Sequence, residues 1–239
     1  MILGMQSLPA HWIQPDWPIH PRVRSLMTTR QGGVSAAPWD SLNLGDHVGD
    51  QVADVHSNRE RLAAHIGQRP VFLQQVHGVA SVQLGADTPN GLAADACWSL
   101  EPGVACTIMV ADCLPVLLAD ADGRWVAAAH AGWRGLAGPS GPAASKGRGV
   151  LESLWADLER AGADVSGVMA WLGPCIGPQA FEVGTEVREV FCQQDAAATD
   201  PSVDMDELPS DEPLAAEALQ HAAAQADEFD ELLEEIELD

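Results

Sequence analysis

The chain has 239 residues, with 12 Lys/Arg against 35 Asp/Glu and a formal net charge of −23. Sixteen of those acids lie between Asp195 and Asp239, where neither Lys nor Arg occurs, so most of the charge belongs to the C-terminal tail. Nucleic acid and anionic membrane surfaces need basic patches, and the composition argues against both as partners.

The five cysteines are odd in number and lack CxxC spacing, which speaks against a disulfide framework. The chain opens without a charged-then-apolar leader and contains no 18-residue apolar span. The expected compartment is therefore the reducing cytoplasm.

Residues 1–22, rich in Pro and Trp, read as an extended lead-in. Val23–Thr29 reads as a first strand, broken by Gly32-Gly33. Ser57 and Glu60 have capping-box spacing and predict a helix running to Ile66 and stopped by Gly67. Val71–Val76 reads as a strand delivering His77, a second strand follows at Ala80–Leu84, and Asn90-Gly91 marks a turn.

The stretch from Val104 to Gly135 carries the most information. Two apolar runs flank the turn signal Asp120-Ala121-Asp122-Gly123, the pattern of a β-hairpin. A two-residue loop at Ala121-Asp122 places Cys113 directly opposite His130, with Cβ atoms about 5 Å apart. A thiolate and an imidazole so placed are able to share one metal ion. A slip of one residue would put them on opposite faces. Each also fits a plain core role, Cys113 as a small hydrophobe and His130 as a hydrogen-bonded strand residue. His77, at a strand end before Gly78, is the best-placed third ligand of the eight histidines. Three protein ligands would leave a fourth position open, as in catalytic zinc sites.

Downstream, 137–149 has the composition of a surface insertion, Val150–Arg160 has the spacing of a one-sided helix, and Val168–Leu172 reads as a strand. A further helix is expected near Gly184–Gln193, and 195–239 as an acidic, partly helical or disordered tail. The expected body is therefore one domain over 23–194, of α+β class with mixed β-sheets flanked by helices.

Several side chains read two ways. Arg59 is either a solvated arginine or a cation for an anionic oxygen. Arg134 either clamps a phosphate or carboxylate or stacks on Trp133. Asp112 either caps a turn or orients a ligand. Cys175, in a Gly/Pro loop, is either reactive or structural, and His47 and Asp50 read as loop residues. GxGxxG, GKS/T, GxSxG and HExxH motifs do not occur.

Six short motifs occur in order: Ser41-Leu42-Asn43-Leu44-Gly45 with His47-Val48-Gly49-Asp50, Asn58-Arg59, Gln75-Val76-His77-Gly78, Ala111-Asp112-Cys113-Leu114-Pro115, His130-Ala131-Gly132-Trp133-Arg134-Gly135 and Gly173-Pro174-Cys175-Ile176-Gly177. Together they resemble the purine nucleoside phosphorylase family historically called multicopper polyphenol oxidoreductase (laccase) and also peptidoglycan editing factor. The resemblance implies a zinc site at His77, Cys113 and His130. It also implies phosphate-dependent cleavage of adenosine, inosine and methylthioadenosine, and deamination of adenosine. Arg59 matches an arginine of the family's active-site region, and Asn43 lies in a motif assigned to substrate. Arg59, Asp112 and Arg134 are the candidate catalytic residues. The family usually continues into a Gly-Lys-aromatic segment and a closing block; here the acidic tail stands in their place, an atypical C-terminal end.

The first reading is thus a zinc-dependent enzyme using purine nucleosides and inorganic phosphate. Copper-dependent phenol oxidation is an alternative that the lack of HxH pairs disfavours, although copper could replace zinc by substitution. The remaining alternative is a degenerate, non-catalytic member acting through its acidic tail on an unknown protein partner.

Overall fold

A computed structural model describes residues 8–139 and 149–194. Most of the expected 137–149 insertion and all of the acidic tail lie outside the described residues. The elements are α1 (Val52–Ile66), β1 (Arg69–Phe72), β2 (Ser81–Gln83), β3 (Ala96–Ser99), β4 (Val104–Thr107), β5 (Leu114–Asp120), β6 (Val126–Ala131), α2 (Trp133–Ala137), α3 (Val150–Arg160), β7 (Val168–Leu172) and α4 (Thr185–Gln194). The order β2-β3-β6-β5-β7 forms a mixed five-stranded sheet, and β1-β4 a parallel pair. This is the expected α+β class. No helix among the described residues is long and apolar enough to cross a membrane.

The sheet is buried on both faces, because alternate residues of its central strands feed two cores. Val116, Leu118, Ala127 and Ala129 face α3, whose Val150, Leu154 and Leu158 are fully buried against them. Each such side chain contributes about 1.5–3 kcal/mol on burial. Ala128 and Cys97 point the other way, towards Val71, Leu73 and Val104 of the β1-β4 side. His130 shares the face of Ala128, so the strand that builds the core also delivers a polar side chain to the β1-β4 side.

Several expectations need correction. Val23–Thr29 is not a strand: only Met27 pairs, with Ile13, where Pro15 and Pro18 deprive the opposing segment of N–H donors. Val71–Val76 is cut short. The ladder ends at Phe72, whose amide bonds to Asn90 Oδ1 (3.0 Å) and whose carbonyl accepts from Gly91 (2.8 Å). The Ser57 capping box is also not used. Helix α1 begins at Val52, after Asp50 Oδ1 has accepted the Gln51 amide (2.7 Å), and Ser57 Oγ donates back to Ala53 O (2.9 Å). The stop at Gly67 is as expected, in left-handed conformation (φ 63°) with its amide on Ala63 O.

The β5-β6 hairpin exists, but its register is shifted by two residues. Pro115 pairs with His130, and Cys113 comes level with Gly132. The cause is the turn. Asp120 stays in the ladder, bonding to Trp125 O (3.2 Å), so four residues rather than two close the loop. A two-residue shift keeps the side-chain face, so Cys113 and His130 still point the same way.

Buried Asp120 holds that turn by accepting from Arg124 N (2.9 Å), Nε (2.8 Å) and Nη2 (2.9 Å), and Arg124 reaches on to Asp164 (3.0 Å). The Ser166 hydroxyl and amide, then Arg124, pull the Asp164 carboxyl down from 3.8 to about 2. A carboxyl depressed by folding stabilises the fold above its unfolded value and loses that contribution as pH falls through the folded one. The stability gap between wild type and Asp164→Asn should therefore be present at pH 6 and close between about pH 4 and pH 2. Urea midpoints measured across that range test this; a gap independent of pH would show that the charge is irrelevant.

Candidate metal centre

After β1 the chain runs through Gln75, whose side-chain amide clamps the Met109 backbone from both sides (2.7 and 2.8 Å), and reaches His77. His77 is in the left-handed region (φ 58°), uncommon for a residue with a Cβ. Three successive amides, of Val76, His77 and Gly78, donate to the Asp95 carboxylate at 3.1, 2.9 and 2.8 Å. Charge-assisted bonds of this kind offset the conformational cost, which is of order 1–3 kcal/mol.

His130 is 4% exposed, and its Nδ1 lies 2.8 Å from Asp95 Oδ1, which leaves Nε2 for another partner. Cys113 stands just before β5, half-buried, with Sγ 3.9 Å from His77 Nε2. The two imidazoles meet edge-on, centroids 4.7 Å apart. One donor atom from each of His77, Cys113 and His130 lies within 4.8 Å of the others. Donors around a tetrahedral zinc would stand about 3.4–3.6 Å apart, so a small contraction suffices to hold a metal.

Gly132 explains how the donors come so close. A Cβ there would lie 2.9 Å from Cys113 Sγ and 3.1 Å from the His77 ring, within the space the donors occupy. Burial, then the neighbouring His130, lowers the His77 pKa, with smaller contributions from Arg134 and His47. Burial, then Asp112, raises the Cys113 thiol above its ordinary value of 9.0. At neutral pH, without a cation, the site therefore offers a neutral His77 and a protonated thiol.

The other candidates are distributed around this centre. Arg59 is not a solvated arginine: its side chain is 17% exposed, Nε donates to Leu44 O (2.9 Å), and Nη2 lies 3.3 Å from Asp46. Its guanidinium covers Phe72 at 4.1 Å and reaches the sulfur of Met109, the residue clamped by Gln75. Asn43 shapes its loop, donating to Gly45 O (3.0 Å) and Asp50 (2.9 Å) and accepting from Gly45 N (3.0 Å). Arg134 is exposed on α2, with its guanidinium 4.4 Å from the Trp133 ring centre, and its charge acts on His77. Asp112 is exposed, and its carbonyl accepts the Ile176 amide (3.0 Å), which brings the Cys175 loop beside Cys113. Cys175 is exposed, and no disulfide joins any of the five cysteines.

Sequence reasoning missed Asp95 and Gly132. The available signals were an acid set among the alanines Ala94 and Ala96, and a glycine two residues after His130.

The family model described as multi-copper polyphenol oxidoreductase laccase matches residues 24–227. The chain is similar to a purine nucleoside phosphorylase of Pseudomonas aeruginosa, 54% identical over 187 residues that cover 78% of this chain and 71% of the relative. It is similar also to the purine nucleoside phosphorylase YfiH of Escherichia coli K12, 47% identical over 192 residues, covering 78% and 72%. Among solved structures, a Neisseria meningitidis protein superposes with a TM-score of 0.67 at 38% identity, covering 78% of this chain and 72% of that one. YlmD of Geobacillus stearothermophilus superposes with a TM-score of 0.68 at 28% identity, covering 87% and 74%.

Proposed function

The chain belongs to the multi-copper polyphenol oxidoreductase laccase family, and from that premise we propose a zinc-dependent purine nucleoside phosphorylase. Its proposed substrates are adenosine, inosine and methylthioadenosine with inorganic phosphate, and it would also deaminate adenosine. The observation that carries the reading is the convergence of His77, Cys113 and His130, in a chain whose relatives bear the phosphorylase name.

Zinc held there would act as a Lewis acid towards a substrate oxygen or water. The remaining roles fall to the chain's own groups. In phosphorolysis a phosphate oxygen displaces the purine at C1′, and negative charge must be held beside the sugar. Arg134, exposed next to the ligand strand, would supply a guanidinium for that phosphate. Arg59, fixed in direction by Leu44 O and Phe72, would supply a second, preorganised cation. Asn43 would hold the loop that faces the nucleoside, and Asp112 would bias the charge around Cys113. The proposed compartment is the cytoplasm.

The test is to incubate metal-loaded protein with adenosine, inosine or methylthioadenosine, with and without phosphate. Phosphate-dependent release of free base supports phosphorolysis, and phosphate-independent inosine formation from adenosine supports deamination. Failure to form either product rejects the reading. The family description and the soft thiolate donor favour one alternative, a copper-dependent polyphenol oxidoreductase. Elemental analysis of protein purified without added metal, paired with a phenol-oxidation assay, separates the two.

A further inference from the structure

We infer that Asp95 is the positioning residue of this centre: one buried carboxylate that orients two of the three metal donors at once. The inference rests on the proposed metal site and deepens it.

Asp95 is fully buried, within the run Ala94–Ser99 whose other side chains are buried too. A charge in that position is costly unless it is paired, and four N–H groups point at it. Oδ2 takes the amides of Val76 and Gly78, while Oδ1 takes both the His77 amide and His130 Nδ1. A single oxygen is therefore shared by the two imidazole-bearing residues.

Two consequences follow. Because an ionised carboxylate can only accept, it fixes the His130 proton on Nδ1 and leaves the Nε2 lone pair directed at Cys113 and His77. Because three amides converge on the same group, His77 is held in its left-handed conformation (φ 58°), from which its ring meets Cys113 Sγ. The backbone adds a further tie, since the Asp95 carbonyl accepts the His130 amide at 2.7 Å. Carboxylate partners of ligating histidines typically change metal affinity ~10–100-fold. Here one carboxylate serves two ligands.

Asp95→Asn keeps the shape but turns one acceptor oxygen into an NH₂ donor facing N–H groups. Zinc affinity of the full chain is measured by competition with a chromophoric chelator, and folding is followed by circular dichroism and thermal unfolding. The expected result is a folded variant whose zinc affinity has fallen ~10–100-fold, while Asp164→Asn, in the distant hairpin clasp, binds as wild type. A folded Asp95→Asn with wild-type affinity overturns the inference and leaves the metal site standing. Wild-type protein that fails to bind zinc overturns both. A measurement that needs no Asp95 variant is the ring ¹⁵N spectrum of metal-free wild type, with His130 assigned from its loss in His130→Gln. An Nδ1-protonated tautomer supports the role, and an Nε2-protonated one overturns it.

Discussion

Cys113→Ala is expected to reduce zinc affinity by roughly 10²–10³-fold and to take nucleoside cleavage to background. The size follows from dividing a zinc-binding free energy of about 10–16 kcal/mol over four metal–ligand bonds, which leaves about 2.5–4 kcal/mol for each. The loss should be confined to the site. Cys113 is half-buried and outside the clusters that form the core, so the melting temperature of the metal-free variant should stay close to wild type. The variant also has a proton signature. Burial and Asp112 hold the thiol above 9.0, whereas His77 is held below its ordinary value. At pH 7 the thiol therefore carries its proton and His77 does not. Zinc uptake by wild type should release about one proton per ion, and affinity should climb about tenfold per pH unit below the thiol's pKa. Cys113→Ala should release none and lose that slope. Calorimetry in buffers of different ionisation enthalpy reads both quantities; equal affinity and equal proton release would remove the thiol from the ligand set.

Much of this centre was legible because strand alternation has a period of two. A two-residue β5-β6 loop sets Cys113 opposite His130, whereas the four-residue loop of the structure sets it opposite Gly132, yet an even displacement leaves both on one face. An odd one would have destroyed the argument. Helix α3 and strand β7 were found at their bounds, since Val150, Leu154 and Leu158 repeat at helical spacing and Val168–Leu172 is a continuous apolar run. What the sequence hid was partnership at long range. Asp95 lies 17 to 19 residues from the amides it holds and 35 from His130; such pairings leave no periodic mark. The start of α1 was hidden for a similar reason. The carboxylate that bonds the Gln51 amide just before it, Asp50, is also held by Ser35 (2.6 Å) and Asn43 (2.9 Å) from a loop with no regular pattern, while Ser57 bonds back to Ala53 rather than capping.

That loop is governed by Asn58, and Asn58→Ala should be the most destabilising of the substitutions considered. Asn58 has no exposed surface although it is polar and lies on α1. Its Oδ1 accepts the Val34 amide (2.9 Å), and its Nδ2 lies within bonding distance of Ser35 Oγ (2.9 Å), Ser41 O (3.1 Å) and Asn43 O (2.9 Å). Alanine removes the partners of the Val34 amide and the Asn43 carbonyl, at about 1–3 kcal/mol each, for a total of roughly 2–5 kcal/mol, whereas Ser41 O keeps the Ser35 amide (3.0 Å). Against the ~5–15 kcal/mol that separates a typical domain from its unfolded state, that is a large share. The damage should also reach the site. Asn43 and Leu44 lie in the released segment, and the Leu44 carbonyl is what directs Arg59 (2.9 Å). At temperatures where the variant is still folded, KM for phosphate should therefore rise while zinc affinity, set by donors on other segments, stays within about twofold of wild type. Urea unfolding gives the stability loss, and amide exchange at Val34 localises it. A variant within ~1 kcal/mol of wild type, with Val34 still protected, would mean that the loop is held by its own turns and that Arg59 is directed independently of it.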